Sequence, residues 1–343
     1  MTALYVLLFA SPLQKEPIFK PVWVDNLSRP SPEASAAGQV VGFRMGKIFG
    51  YANPDGRIRF LDNAQFGVAM DGDRFINFSS VSQNLVMRDS SGRILSSVEA
   101  LGYPILSSGR FFVINPDRTS LSEIGGQGIA KWNHEFGSLI TCISSTKSLL
   151  VAGLLDGSIS VLGADGKVLA NYTPGGSRIA VIYGCAISPD GNRIGLISGL
   201  DPQRFILLDR TPSGFKFTKA FDLRTDFRSQ AFIHFFPRVP YVYYEGSGGA
   251  GYISLRGGSM GTLPVPGTVR SMILGPGSFL YVASVENRGT AQRNDGYLSV
   301  ISPPASLVAT SRLPGNQLFL TSEAGSVYLG ADQTFMRVDY ADN

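Results

Sequence analysis

From residue 47 onward one phrase recurs along the chain: a short apolar strand, a tight turn, a second strand, a second turn. The clearest copy is Leu149-Leu-Val-Ala-Gly-Leu-Leu-Asp-Gly157, Ser158-Ile-Ser-Val-Leu-Gly-Ala-Asp-Gly166 and Lys167-Val-Leu-Ala-Asn-Tyr172. Each Asp-Gly supplies the positive φ that a two-residue hairpin needs, so three strands are joined by two hairpins. A further unit opens at Cys185-Ala-Ile-Ser-Pro-Asp-Gly-Asn-Arg-Ile-Gly-Leu-Ile-Ser198. No comparable stretch carries a 3.6-residue period with helix caps, and the chain reads as all-β.

Anchoring each unit on the last apolar residue before its first turn selects Val68, Leu106, Ile143, Ile187, Phe235, Leu274 and Leu320, spaced on average 42 residues apart. About four strands per 40 residues is the signature of a β-propeller blade. Seven anchors predict a seven-bladed propeller of four-stranded antiparallel blades, closed by pairing N- and C-terminal strands. Closure is expected through Lys47–Phe60, read as the outer hairpin of a blade whose inner strands lie after Leu320. Phe335-Met-Arg-Val-Asp339 is then a strand too many. An eight-bladed ring absorbs it, although Val41 lies only 27 residues before Val68, too close for a complete extra blade.

Two units resemble known bacterial propellers. Leu155-Asp-Gly-Ser-Ile-Ser-Val-Leu-Gly-Ala-Asp-Gly-Lys-Val-Leu169 resembles the repeat of the PQQ-like (quinoprotein-type) propellers, and Ile187-Ser-Pro-Asp-Gly-Asn-Arg-Ile194 is similar to a turn common in WD40-like propellers. The resemblance implies a divergent bacterial propeller. No Trp-Asp dipeptide is present, so this is not a standard WD40 protein, and Asn171-Tyr172 stand where the quinone-type repeat ends in Trp, so no cofactor is expected.

Composition fits this reading. Forty Gly and twenty Pro serve the turns, and 16% charged residues against 44% hydrophobic ones exclude a disordered chain. The net charge of +4 comes from scattered arginines, so no nucleic-acid partner is expected. Two cysteines and two histidines leave no material for a four-cysteine zinc site or a histidine-rich metal centre. Cys142 and Cys185 fall on neighbouring innermost strands and face opposite sides; they either meet across one blade interface or point apart, and free thiols are expected.

Residues 1–25 form an apolar N-terminal segment, residues 26–40 a Pro/Ser/Ala linker and residues 41–343 a single propeller. Ala3–Ala10 is either the remnant of a signal or membrane anchor or a buried strand. An anchor and tether would place the protein outside the cytoplasm, in the periplasm or on a membrane; a cytoplasmic location is the alternative.

Catalytic motifs dissolve on inspection. Gly246-Ser-Gly-Gly-Ala-Gly251 has dinucleotide spacing but precedes a strand, and Gly257-Gly-Ser-Met-Gly261 has nucleophile-elbow spacing with no helix after it. Phe232-Ile-His-Phe-Phe236 and Tyr241-Val-Tyr-Tyr244 read as packing between blades. The expectation is a non-catalytic interaction or scaffold propeller binding an acidic protein or peptide. Long loops on one face would carry it, with Arg118, Arg204, Arg224, Asp226, Arg228, Arg288, Arg293 and Asp295 as partner-binding residues. The alternative is a propeller hydrolase or lyase, which would need two or more carboxylates of perturbed pKa beside those arginines at the channel mouth.

Overall fold

The computed structural model describes residues 18–27, 30–31, 38–223, 225–246, 248–286 and 295–341. Among the described residues thirty-one strands make eight antiparallel sheets, and one 3-10 turn covers Pro276–Ser278. Among the described residues no helix is long and apolar enough to cross a membrane. Numbered along the chain, blades 1 to 7 span residues 41–63, 67–99, 103–135, 140–172, 179–223, 233–262 and 268–313. Blade 8 combines residues 318–341 with the N-terminal strand Ile18–Asn26.

The turns explain the hairpins. Gly157, Gly166 and Gly191 have φ of 85°, 77° and 71°. The preceding aspartates fold their carboxylates back onto the chain, Asp156 accepting from the Ser158 amide at 2.9 Å and Asp190 from the Asn192 amide at 3.1 Å.

All seven anchors lie on first strands, those of blades 2 to 8. The seven-blade count is nevertheless one short. Blade 1 has three described strands, Val41–Met45, Ile48–Ala52 and Ile58–Asn63, and no anchor marks it because its first-strand position is not among them. Ile58–Asn63 behaves as a fourth strand: Phe60 covers Gly92 in the third-to-fourth-strand turn of blade 2, as Trp132 of blade 3 covers Gly166 in that of blade 4. Val41–Met45 therefore holds the second position and runs against the seven first strands. Gly46, at its end, packs on Gln317 before blade 8's first strand, while Gln39, before its start, donates to Glu323 at that strand's end. Blades 7 and 8 instead run in step, Ser271 bonding to Leu320 and Ser322 to Leu274. The short interval before Val68 thus reflects a blade of which residues 41–63 hold three strands.

Closure also differs in detail. The chain ends do pair, but Ile18–Asn26 joins Thr334–Ala341 in antiparallel register from Ile18↔Ala341 to Asn26↔Thr334. The Lys47–Phe60 hairpin stays within blade 1. The surplus strand at Phe335 is the third strand of blade 8. Leu27 is buried between blades 8 and 1, and the Ser31 amide donates to the Ile58 carbonyl at 2.7 Å.

Among the described residues there is no central core. Buried apolar residues form eight clusters, one at each blade interface. Among the described residues, that between blades 1 and 2 is the smallest: Phe49, Tyr51, Ala64, Val68 and Phe75. Cys142 and Cys185 meet as free thiols in the cluster between blades 4 and 5. A hydrogen bond with the Cys142 thiol, together with burial, pushes the Cys185 thiol well up. His234 stacks on Phe236 at 5.8 Å with the rings 3° apart, and burial lowers its pKa.

Candidate interaction face

The second-to-third-strand turns and the blade-to-blade connections share one face of the ring. The turn Asn115-Pro-Asp-Arg118 in blade 3 is built by its own side chains. Asn115 Oδ1 accepts from the Ser120 amide at 2.7 Å, and Asp117 Oδ1 accepts from the Thr119 amide and hydroxyl at 3.0 and 2.7 Å. Those bonds from Thr119 hold the Asp117 carboxyl below its usual range. Arg118 closes the turn at φ 61°, its carbonyl accepting from the Ile140 amide at 2.8 Å and its guanidinium lying 5.4 Å from the centre of the Tyr103 ring. The exposed head thus projects from a fixed backbone.

Arg118 forms one rim of a cleft of about 290 Å³. Arg228, on the connection from blade 5 to blade 6, forms another. Between them lie Leu139, Leu155, Val181 and Tyr183. Leu139 and Leu155 are 40% and 45% exposed, and the Leu155 amide donates to the Leu139 carbonyl at 2.9 Å. Two cations, one in a turn of blade 3 and one on the connection from blade 5 to blade 6, share this lining with the exposed leucines.

The other expected residues divide. Asp226 is exposed on the loop that carries Arg228. Arg204 braces the structure: it donates to Asp222 at 3.1 Å and to the Gly175 carbonyl at 2.7 Å. Asp295 is buried and paired with Arg312. Arg224, Arg288 and Arg293 lie outside the described residues. Sequence reasoning missed Leu139 and Leu155. The available signal was an apolar residue beside a turn, Leu155 before Asp156-Gly157 and Leu139 after Gly137-Ser138, where polar side chains are the rule.

The carboxylates are mostly engaged. Among the described residues Glu245 alone has its carboxyl pushed up, by burial, with the Phe232 amide and Arg270 opposing the shift. Glu123 is the reverse case. Burial works to raise it, but hydrogen bonds from Arg110 and Lys131 outweigh that and hold it below its usual value. Arg110 also donates to the Thr146 and Leu149 carbonyls, each at 3.1 Å, tying blade 3 to blade 4.

An eight-bladed, all-β ring with its loops gathered on one face defines a propeller. The family model described as "beta-propeller protein" matches residues 1–343, and the chain belongs to that family. An uncharacterized protein of Treponema pallidum (strain Nichols) is 24% identical over 347 residues, covering 98% of this chain and 91% of that protein. Among solved structures, BamB from Moraxella catarrhalis superposes with a TM-score of 0.63 at 14% identity, covering 94% of this chain and 100% of that one. The dihydro-heme d1 dehydrogenase NirN, solved in complex with DHE, superposes with a TM-score of 0.56 at 14% identity over 78% of this chain and 60% of its own. The chain is a β-propeller, and these superpositions show the same fold.

Proposed function

We propose that the protein is a non-catalytic interaction propeller whose loop face takes an extended segment of a protein partner. The observation that carries this reading is the cleft in which Arg118 and Arg228 flank the exposed Leu139 and Leu155. Guanidinium groups offer paired hydrogen bonds to carboxylates, and the apolar floor offers area that water solvates poorly. The matching ligand is a peptide with acidic residues on either side of one or two bulky apolar ones. A rigid ring that presents such a cleft without ordering itself loses little entropy on binding.

A peptide-display selection on the full chain tests this. Enriched sequences should combine Asp or Glu with Leu, Ile or Phe, and Arg118→Glu with Arg228→Glu should weaken them at least tenfold. Enrichment without acidic residues, or binding unchanged in the double variant, would remove the cleft from consideration.

A further inference from the structure

The first strands of blades 4 and 5, Ile140–Ser145 and Ile179–Ile187, are pinned side by side through their hydroxyls. The Thr141 hydroxyl donates to the Ile182 carbonyl at 2.6 Å, and the Ser144 hydroxyl accepts from the Ile187 amide at 3.1 Å. Each strand carries one cysteine between its two pinned positions: Cys142 between Thr141 and Ser144, Cys185 between Ile182 and Ile187.

Both cysteines turn onto the second strand of blade 4, Leu149–Leu154. Cys142 pairs with Gly153 across the sheet, and its sulfur takes the space that a larger residue there would fill: a Cβ on Gly153 would stand 2.6 Å from Cys142 Sγ. The same Cβ would stand 2.6 Å from Ile182 Cγ2, so blade 5 also reaches over this glycine. Cys185 Sγ lies 3.8 Å from the carbonyl oxygen of Val151, two residues along the same strand. Cys142 is buried and Cys185 half-buried in the one apolar cluster between these blades, and their thiols are in hydrogen-bond contact. Disulfides join Cα atoms about 4.4–6.8 Å apart, a spacing that a thiol–thiol contact between adjacent strands already approaches.

We propose that Cys142 and Cys185 form a disulfide site that ties blade 4 covalently to blade 5. The site is separate from the cleft, although Thr141 and Ile182, which border it, also line that cleft. Because Cys142 is buried, the oxidant must be small, and a peroxide meets that need. The thiolate of one cysteine attacks a peroxide oxygen, the O–O bond breaks, and a sulfenic acid and hydroxide form. The other thiol then attacks the sulfenic sulfur; the S–S bond forms, and the departing hydroxide takes up the thiol proton as water. Each sulfur gives up one electron, and one hydrogen peroxide becomes two waters. Burial and the hydrogen bond to Cys142 hold the proton on Cys185, which makes closure slow at neutral pH.

Treatment of the folded full chain with hydrogen peroxide, then unfolding, alkylation and peptide mass spectrometry, provides the test. The expected product is a single chain in which the Cys142 and Cys185 peptides are joined, with neither thiol left to alkylate and both recovered by dithiothreitol. The joined chain should melt roughly 5 °C above the reduced one, because the bond closes a loop spanning most of blade 4 in the unfolded state. Cys142→Ser and Cys185→Ser should each form no bond within the chain and show no such rise. The unsubstituted chain carries the main reading, so a serine variant that fails to fold does not remove it. Two thiols still open to alkylation after peroxide, or sulfinic acid on either cysteine in place of the joined peptides, would overturn the proposal. Joining that occurs only when the chain is oxidised in urea would overturn it equally, since the folded ring would then hold the thiols apart.

Discussion

Glu245 and Glu123 show how the surroundings of one carboxyl set its protonation. Glu245 sits 8% exposed near the end of Tyr241–Gly246, with a single amide donor at 3.4 Å. Burial raises its pKa, so the folded chain holds this proton to higher pH than the unfolded chain does. The stability it contributes is complete below the ordinary carboxylate range and is lost as pH rises through its folded value. Glu245→Gln keeps the acceptor and removes the charge. It should raise the melting temperature near pH 8 and leave it unchanged near pH 4, below the ordinary Glu pKa of about 4.3; the reverse order would show that Arg270 dominates. Glu123 has the opposite sign. Its carboxylate accepts from Arg110 and Lys131 and, at 3.1 Å, from the Trp132 indole, so its contribution is present above the usual carboxylate range and lost as pH falls. Arg110→Ala strips the buried partner and two bonds to blade 4, and should cost about 3–5 kcal/mol in chemical denaturation. A loss below 1 kcal/mol would mean that Lys131 and Trp132 suffice.

Strands and turns repeat one device around the ring: an outer-strand side chain lies over a glycine in the next blade's third-to-fourth-strand turn. Trp23 covers Gly56, Phe60 covers Gly92 and Trp132 covers Gly166. In each case the glycine has positive φ, and at Gly166 an added Cβ would stand 2.5 Å from the Trp132 ring. Gly166→Ala therefore combines backbone strain with a displaced indole and should cost roughly 2 kcal/mol by equilibrium unfolding. No measurable loss would show that the indole swings aside freely. The turns at Gly56 and Gly166 were legible in the sequence because Asp55-Gly56 and Asp165-Gly166 announce both a reversal and a positive φ; Gly92 follows Ser91 and carries no such signal. The aromatic covers were not, since their partners lie in another blade and no spacing along the chain encodes that meeting. The interaction cleft was half legible for the same reason. Arg118 and Arg228 declare themselves as loop cations, whereas Leu139 and Leu155 become neighbours only when two turns are brought together.

The whole ring was readable as a period, and the count failed at the one blade that breaks it. Val41 and Val68 are too close for four strands, and three is what the described residues hold. Nothing local marks Ile18–Asn26 as the outer strand of blade 8, because its partner Thr334–Ala341 is more than 300 residues away. Closure across such a separation is entropically costly and is supported by the interface between blades 8 and 1, where Leu27, Phe43, Tyr328 and Phe335 are buried together.

The ring of eight clusters has a mechanical consequence. Joints in series around a hoop carry the same load, so deformation collects at the most compliant one. Among the described residues the joint between blades 1 and 2 buries the smallest cluster, so deformation is expected to collect there. A hoop that gives way there spreads into an arc with its other seven joints intact.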